Sequence, residues 1–397
     1  MLDKISLIFI QLLVIFVPFT YFILPDNNHA VGRIIFGILG LLYLVILLFK
    51  IYIKKTPLKN IRLKIPLLTF LFIMLVSAKN AGNVKLVFES AAFFLILLAI
   101  LYSLSLFSES ERNVIINTFI ISSAVITAYS FVLHLSINFF KWLPNSMVDF
   151  NINIYSGYLL LIFPIIFVKM ILIRGVLKHV LLMLFCFIIF FNLVITKTCS
   201  IWVIFLISIL LLICGQMVYL RRRFNSIKRI SRGSYWIALI VCAILLFSID
   251  KHSLLKKYIC RSDVLVNNFI TYFNAAWQTV KEHPFFGIGA GNALNCNSGV
   301  FIKHFIEIGI LGLITNILIF ISYFYFCAGS LLKNIELKEN DYNTLLGIFI
   351  GVFSYFLYTF TINSFFVFPV YIILFIFFGL TESYLKNPSI IVKPSSD

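Results

Sequence analysis

The sequence has little charge: only 12% of its 397 residues are Asp, Glu, Lys or Arg, and only 15 of them are acidic. A soluble domain carries about 25% charged residues, so a separate soluble catalytic domain is excluded. Hydrophobic residues make up 61% of the chain, and a membrane-spanning helix needs about 20 mostly apolar residues. The composition therefore predicts an integral membrane protein.

The apolar runs lack the alternation of polar and apolar residues that the strands of an outer-membrane barrel require. We therefore predict an all-α polytopic bundle of about 12 transmembrane helices, formed by residues 1–397 as a single membrane domain. No small-residue cleavage site follows the first apolar stretch, which is expected to remain as the first span. The predicted spans are 5–24, 30–49, 65–78, 86–107, 114–137, 153–173, 179–196, 200–220, 234–250, 303–331, 343–361 and 364–384.

Basic residues outnumber acidic ones, 32 to 15, and they cluster between predicted spans. The loops at 50–64 and 221–232 are rich in Lys and Arg, which predicts that both are cytoplasmic. Six spans separate them, an even number, so the two assignments agree and place both termini in the cytoplasm. The net charge of +17 is thus explained by topology and by anionic membrane lipid, and no nucleic-acid partner is expected.

One connection is far longer than the others: residues 251–302, between spans nine and ten, on the predicted outer (periplasmic) face. Loops of this length are usually functional or disordered, and this one is too rich in aromatic residues for a disordered linker. Its basic residues include Lys257, Arg261 and Lys281, which suit a diphosphate. They could equally be solvated residues on an amphipathic helix.

The long loop contains the stretch Glu282 to Asn292, which reads EHPFFGIGAGN. Pro284 should end a helix, and glycines such as Gly287 and Gly289 allow a tight turn or a close approach to a ligand. His283 is a candidate general base, or a capping residue. The stretch lacks the last glycine and the preceding strand of a dinucleotide site, and the seven cysteines form no CxxC pair. We expect no cofactor and no metal.

The tenth span begins with Lys303, His304 and Glu307, whose spacing of three and four places them on one helical face. Ionisable residues at the edge of a span are functional candidates, although an intrahelical ion pair explains them as well. Gly309 and Gly312 are predicted to permit close helix packing. We find no pair of broken helices of the kind that many transporters have.

Two further polar groups occur at predicted outer ends of spans. Asn151 and Asn153 enter span six, where asparagine either orients a sugar or satisfies a kinked backbone. Lys197 lies in the short turn between spans seven and eight and is expected to line the same cavity.

In order and spacing, four stretches resemble the O-antigen ligase and polymerase family of bacterial membrane proteins. That family has an Asn-containing entry to a middle span, a Thr-x-Ser-Arg-x-x-Trp turn, a His-Pro-x-x-Gly-x-Gly loop and a Glu-x-Gly-x-x-Gly span. The corresponding stretches are 151–158, 196–202, 282–292 and 307–312. The chain departs from the family where arginine is expected, at Cys199 and Ile270, and where histidine is expected, at Ser298.

The resemblance implies metal-independent transfer or polymerisation of glycan from undecaprenyl diphosphate to a sugar acceptor such as the lipid A core. This reaction would occur at the periplasmic face of the bacterial inner membrane. Within this chemistry we predict three catalytic residues, His304, Glu307 and His283. The predicted substrate-binding residues are Arg261, Lys257, Lys281, Lys197, Lys303, Asn151, Asn153, Gly287, Gly289, Asn292 and Ser298.

The departures leave three interpretations open: relocated cations, a polymerase-like branch with a different site, or a relative without catalysis. Two other classes of protein also fit the composition. One is a transporter or flippase of lipid-linked substrates, for which ionisable residues at the middle of the membrane are expected. The other is a non-catalytic membrane subunit that binds glycan for a partner enzyme.

Overall fold

A computed structural model describes residues 2–22, 29–54, 61–138, 152–173, 175–195, 199–224, 273–293 except 275 and 279, 300–333, 337–360 and 368–386. Of these residues 89% are helical, and none forms a β-strand. The helices are α1 (Leu2–Phe22), α2 (His29–Lys54), α3 (Lys64–Val76), α4 (Val84–Leu104), α5 (Glu109–Asn138), α6 (Ile152–Leu172), α7 (Val176–Ile195), α8 (Cys199–Phe224), α9 (Val300–Lys333), α10 (Glu339–Thr359) and α11 (Phe368–Lys386).

The helices follow the predicted spans. Each predicted span except the ninth, 234–250, coincides with one helix, and the ninth lies outside the described residues. Within the described ranges, seven helices are long and apolar enough to cross a membrane. The chain is therefore an all-α, multi-pass membrane protein. The count of twelve spans stays a prediction, and α3, at 13 residues, is shorter than the roughly 20 residues a crossing needs.

The centre of the bundle is formed by α6, α10 and α11, which are the most completely buried of the helices. Gly347 and Gly351 lie one turn apart on α10 and bring its backbone against α6. A Cβ atom at Gly351 would lie 2.5 Å from the carbonyl oxygen of Leu161, and one at Gly347 would lie 3.0 Å from Cα of Ile165. Small residues at this spacing permit close packing of membrane helices through van der Waals contact.

One end of the bundle contains buried charge and is called the charged end here. Arg112 of α5 and Asp341 of α10 are both fully buried, and their charged groups are 3.6 Å apart. Arg112 also donates a hydrogen bond to the carbonyl oxygen of Ser383 on α11 (3.0 Å) and stacks over the ring of Tyr384 at 4.3 Å. These contacts tie three helices together where no water can screen the charges.

The start of α1 lies at the charged end as well. Gln11 donates to Thr118 (3.1 Å) and Ser122 donates to the carbonyl oxygen of Val14 (3.2 Å), so α1 runs parallel to α5. The start of α1, the start of α5 and the end of α11 therefore share one end of the bundle. That this end faces the cytoplasm stays a prediction.

Candidate functional site

The opposite end, called the site end here, contains the part of the long connection before α9 that the structure describes. The described residues between 273 and 280, which exclude 275 and 279, are helical, with Ala276 and Val280 buried. Phe273 and Trp277 stack on Phe305 of α9, with ring centroids 6.0 and 6.2 Å apart. The chain then continues into residues 281–293, named the glycine loop.

The tenth predicted span, α9, is broken at Gly309, which has φ 67° and ψ −169°. In a continuous helix, the N–H groups of Ile310 and Leu311 would donate to carbonyl oxygens four residues earlier. Here the N–H of Ile310 donates to the carbonyl oxygen of Pro284 (2.9 Å), and that of Leu311 to the carbonyl oxygen of Phe285 (3.4 Å). The glycine loop thus replaces the helix's own acceptors.

The two carbonyl groups that the break leaves free bind the same loop. The N–H of Ile288 donates to the carbonyl oxygen of Ile306 (3.0 Å), and the N–H of Gly289 to that of Glu307 (2.9 Å). Two donors and two acceptors of the broken helix are therefore all satisfied by the glycine loop. Non-helical backbone at membrane depth is tolerated only where protein satisfies its polar groups in this way.

The prediction that Gly309 serves helix packing is wrong, because Gly309 marks a break in the helix. A Cβ atom at Gly309 would lie 2.4 Å from the carbonyl carbon and oxygen of Phe285. The sequence likewise indicated no pair of broken helices, and α9 is the single helix with a non-helical residue inside it among those described. Glycine in a membrane helix usually indicates packing, so the break had no local signal.

Glu307 is held by the glycine loop through its side chain as well as its backbone. Its carboxylate lies close to the backbone N–H groups of Gly291 and Ala293. Its Oε1 is 3.6 Å from Nζ of Lys303, so the predicted ion pair within the helix forms. His304 lies beside them, with Nε2 3.4 Å from the hydroxyl of Tyr371. Lys303, His304 and Glu307 are all buried, at 8%, 2% and 5% exposure.

The turn between α3 and α4 also binds the glycine loop. Asn80 donates from its side chain to the carbonyl oxygen of Gly287 (3.2 Å), and Ser77 accepts from the N–H of Ala290 (3.2 Å). Asn83 and Asn292 form a reciprocal pair: the N–H of Asn83 donates to Oδ1 of Asn292 (2.9 Å), and Nδ2 of Asn292 donates back to the carbonyl oxygen of Asn83 (3.2 Å).

Sequence reasoning missed Ser77, Asn80 and Asn83 as members of the site. The partners Asn83 and Asn292 are 209 positions apart in the chain, and no pattern within one helix or one loop connects residues so distant. One signal was available: because the loop at 50–64 is predicted to be cytoplasmic, the turn around Asn80, one span later, is predicted on the same face as the long loop. That prediction gives the side of the membrane on which the turn lies, but it does not identify the residues that the turn contacts.

The structure unites some of the predicted site residues. The glycine loop and the broken part of α9 form one hydrogen-bonded unit, named the interlock. The predicted site residues in it are Gly287, Gly289, Asn292, Lys303, His304 and Glu307. Lys281 and His283 precede the interlock, Lys281 being exposed and His283 half-buried. For Asn153 only its place in α6 is described. Outside the described residues lie Asn151, Lys197, Lys257, Arg261 and Ser298.

A layer of uncharged polar side chains lies deeper in the bundle, in the half nearer the site end. They are buried and bind one another, as polar groups in an apolar interior must. The hydrogen-bonded pairs are Tyr158–Ser123, Ser130–Asn192, Tyr358–Ser156 and Tyr371–Asn316. Tyr371 also contacts His304 and so connects the Tyr371–Asn316 pair to the buried residues of α9.

Over the described ranges, no group of three or more His, Cys, Asp or Glu side chains is arranged to hold a metal ion. The expectation that the chain needs no cofactor stays a prediction. No protein-family model matches the chain, and no curated protein matches it either.

Proposed function

We propose that the chain transfers or polymerises glycan, taking it from an undecaprenyl diphosphate carrier to a sugar acceptor at the outer face of a bacterial inner membrane. One observation carries this proposal. The stretches Glu282 to Asn292 and Glu307 to Gly312, on which the family resemblance mainly depends, form one interlocked unit through four backbone hydrogen bonds. Two motifs that are separate in the sequence therefore act as a single structural element.

The chemistry of the proposed reaction assigns roles to exposed groups at the site end. An acceptor hydroxyl attacks the anomeric carbon, the bond from that carbon to the diphosphate breaks, and the diphosphate leaves on its carrier. The hydroxyl proton passes to a general base, and fixed cations balance the leaving charge. Of the three predicted catalytic residues, His283 alone has a side chain that is not buried, so we assign it as the base, with Lys281 beside the leaving group.

His304 and Glu307 have a different role in this proposal. Both are buried under the glycine loop, and the Glu307 carboxylate lies close to the backbone N–H groups of Gly291 and Ala293 in that loop. We therefore assign Glu307 as a positioning residue that holds the loop carrying His283. Lys303 forms an ion pair with Glu307.

The test is the glycan profile of a deletion strain beside the complemented strain, with the carrier-linked pool extracted separately. Long chains that stay on the carrier while the acceptor remains bare indicate a ligase. Carriers or acceptors with a single repeat indicate a polymerase. Unchanged profiles in both pools contradict glycan transfer.

A transporter of lipid-linked substrates is the second candidate, and the break in α9 favours it. Transporters often bind substrate where helices are discontinuous. However, the break at Gly309 is only nine residues from the start of α9 at Val300, near the site end, and the polar layer beneath it is uncharged apart from the α9 residues. Uptake of a labelled carrier into proteoliposomes, with no change in its glycan, would support transport over transfer.

A further inference from the structure

The backbone of α9 at Gly309 has two ways to satisfy the same groups. In the structure, called the docked state here, the N–H groups of Ile310 and Leu311 and the carbonyl groups of Ile306 and Glu307 all bind the glycine loop. If the loop left, these four groups would be paired at the spacing of an ordinary helix, Ile310 with Ile306 and Leu311 with Glu307. All four groups would therefore remain hydrogen-bonded if α9 became continuous.

The glycine loop can also leave without burying unsatisfied groups. It lies at the site end, where Lys281, Glu282 and Phe285 are exposed, so water is available to its backbone. Besides the four backbone hydrogen bonds and Glu307, an apolar cluster holds the loop and the helical residues before it, in which Ala276, Val280 and Ala293 pack on Ile302, Phe305 and Ile306 of α9. The Asn83–Asn292 pair adds a polar contact. These contacts make the docked state the one observed.

We infer that the glycine loop and α9 form a two-state gate. In the docked state α9 is broken and Lys303, His304 and Glu307 are covered. In the released state α9 is continuous and these three side chains are accessible from the site end. Gly309 is the hinge, because glycine adopts both the observed φ of 67° and the helical conformation at little cost. The inference concerns regulation of the site, and it rests on the proposed function only for its effect on transfer.

Hydrogen exchange of the wild-type chain in lipid nanodiscs distinguishes the gate from simple fraying. Release exposes the N–H groups of Ile288 and Gly289 to water, whereas those of Ile310 and Leu311 find new acceptors within the continuous helix. We expect peptides covering 285–293 to exchange at least about tenfold faster than peptides covering 306–313, the factor that 1.4 kcal/mol of extra protection provides. Exchange of both regions at the same rate would overturn the gate.

A second measurement uses the hinge. Ala293→Cys, in a chain whose native cysteines are replaced by serine, places a thiol in the buried apolar cluster. Gly309→Ala disfavours the broken helix and favours the continuous one, so modification of this thiol by a membrane-impermeant maleimide should be about 30-fold faster. The matched control is Gly329→Ala on the same helix, where an added Cβ has no atom within 4 Å.

Equal labelling rates in the Gly309→Ala and Gly329→Ala chains would overturn the gate. Neither measurement uses transfer activity, so a chain that exchanges and labels as expected but transfers no glycan contradicts the proposed function alone. If Gly309→Ala fails to fold, the exchange measurement on the wild-type chain still decides.

Discussion

Gly287 and Gly309 lie back to back in the interlock, and neither can carry a side chain. A Cβ atom at Gly287 would lie 2.4 Å from the carbonyl oxygen of Ile306, and one at Gly309 would lie 2.4 Å from the carbonyl group of Phe285. Both residues have positive φ, 65° and 67°. The loop and the helix therefore approach through bare backbone on both sides, which is why their hydrogen bonds can form.

Gly287→Ala should weaken the interlock. Alanine at a positive φ costs about 1–3 kcal/mol, and its Cβ would meet the backbone of α9, which cannot move aside as a flexible side chain could. We expect a lower melting temperature in detergent by scanning fluorimetry. Gly37→Ala is the control, because no atom lies within 4 Å of its added Cβ. An unchanged melting temperature for Gly287→Ala would show that the close approach is not required.

Arg112→Ala should destabilise the chain strongly at the charged end. Removing one partner of a buried pair leaves the other charge, Asp341, in the interior without its ion-pair partner, which costs about 3–5 kcal/mol. Lys338→Ala is the matched control, because the Lys338–Glu109 pair, 3.1 Å apart, is about half exposed, and such pairs contribute only about 0–1 kcal/mol. Chemical unfolding of both variants measures the difference. Equal losses would contradict the structural role of Arg112.

Gly351→Ile should separate α6 from α10. The added side chain would begin 2.5 Å from the carbonyl oxygen of Leu161, and overpacking a close helix contact costs about 1–3 kcal/mol or more. We expect a smaller fraction of monodisperse protein by size-exclusion chromatography. Gly329→Ile on α9, where no atom lies within 4 Å of an added Cβ, should elute like the wild-type chain, and equal behaviour of both variants would argue against a close crossing.

Glu307→Gln should impair glycan extension without lowering the amount of protein in the membrane. Glutamine keeps the size of the side chain, but it removes the negative charge that pairs with Lys303 and attracts the nearby N–H groups of Gly291 and Ala293. Hydrogen bonds to a charged group are about twice as strong as neutral ones, so the loop would be held less firmly. Gel profiles of surface glycan, normalised to an immunoblot of the membrane fraction, give the readout. Normal extension would remove Glu307 from the site.

The helices were predictable because each one needs a long apolar run, and a run is visible without knowledge of its neighbours. The face shared by Lys303, His304 and Glu307 was predictable for the same reason, since a helical period of 3.6 fixes it. The interlock was not. Whether Gly309 packs or breaks the helix depends on acceptors at Pro284 and Phe285, and a sequence pattern does not state which distant carbonyl group will be available.

The sequence therefore identifies the separate segments of the site, but it does not identify the contacts between them. The stretches containing His283, Gly287 and Glu307 were selected, because proline, spaced glycines and ionisable residues at a span edge are unusual in an apolar chain. Asn80 and Asn83 were not selected, because short asparagine-containing turns are common between helices. Their importance arises from the contact of two loops more than 200 positions apart.

The most direct test of the account is release of undecaprenyl diphosphate by the purified chain in lipid nanodiscs, given a carrier-linked glycan and a sugar acceptor. The account predicts release by the wild-type chain. It also predicts release at least about 100-fold slower by His283→Ala, because a general base contributes about 10²–10⁴ in rate. His179→Ala, a histidine whose Nδ1 lies 3.0 Å from the carbonyl oxygen of Met170 at the charged end, should release normally. No release by the wild-type chain, or equal release by His283→Ala, would contradict the account.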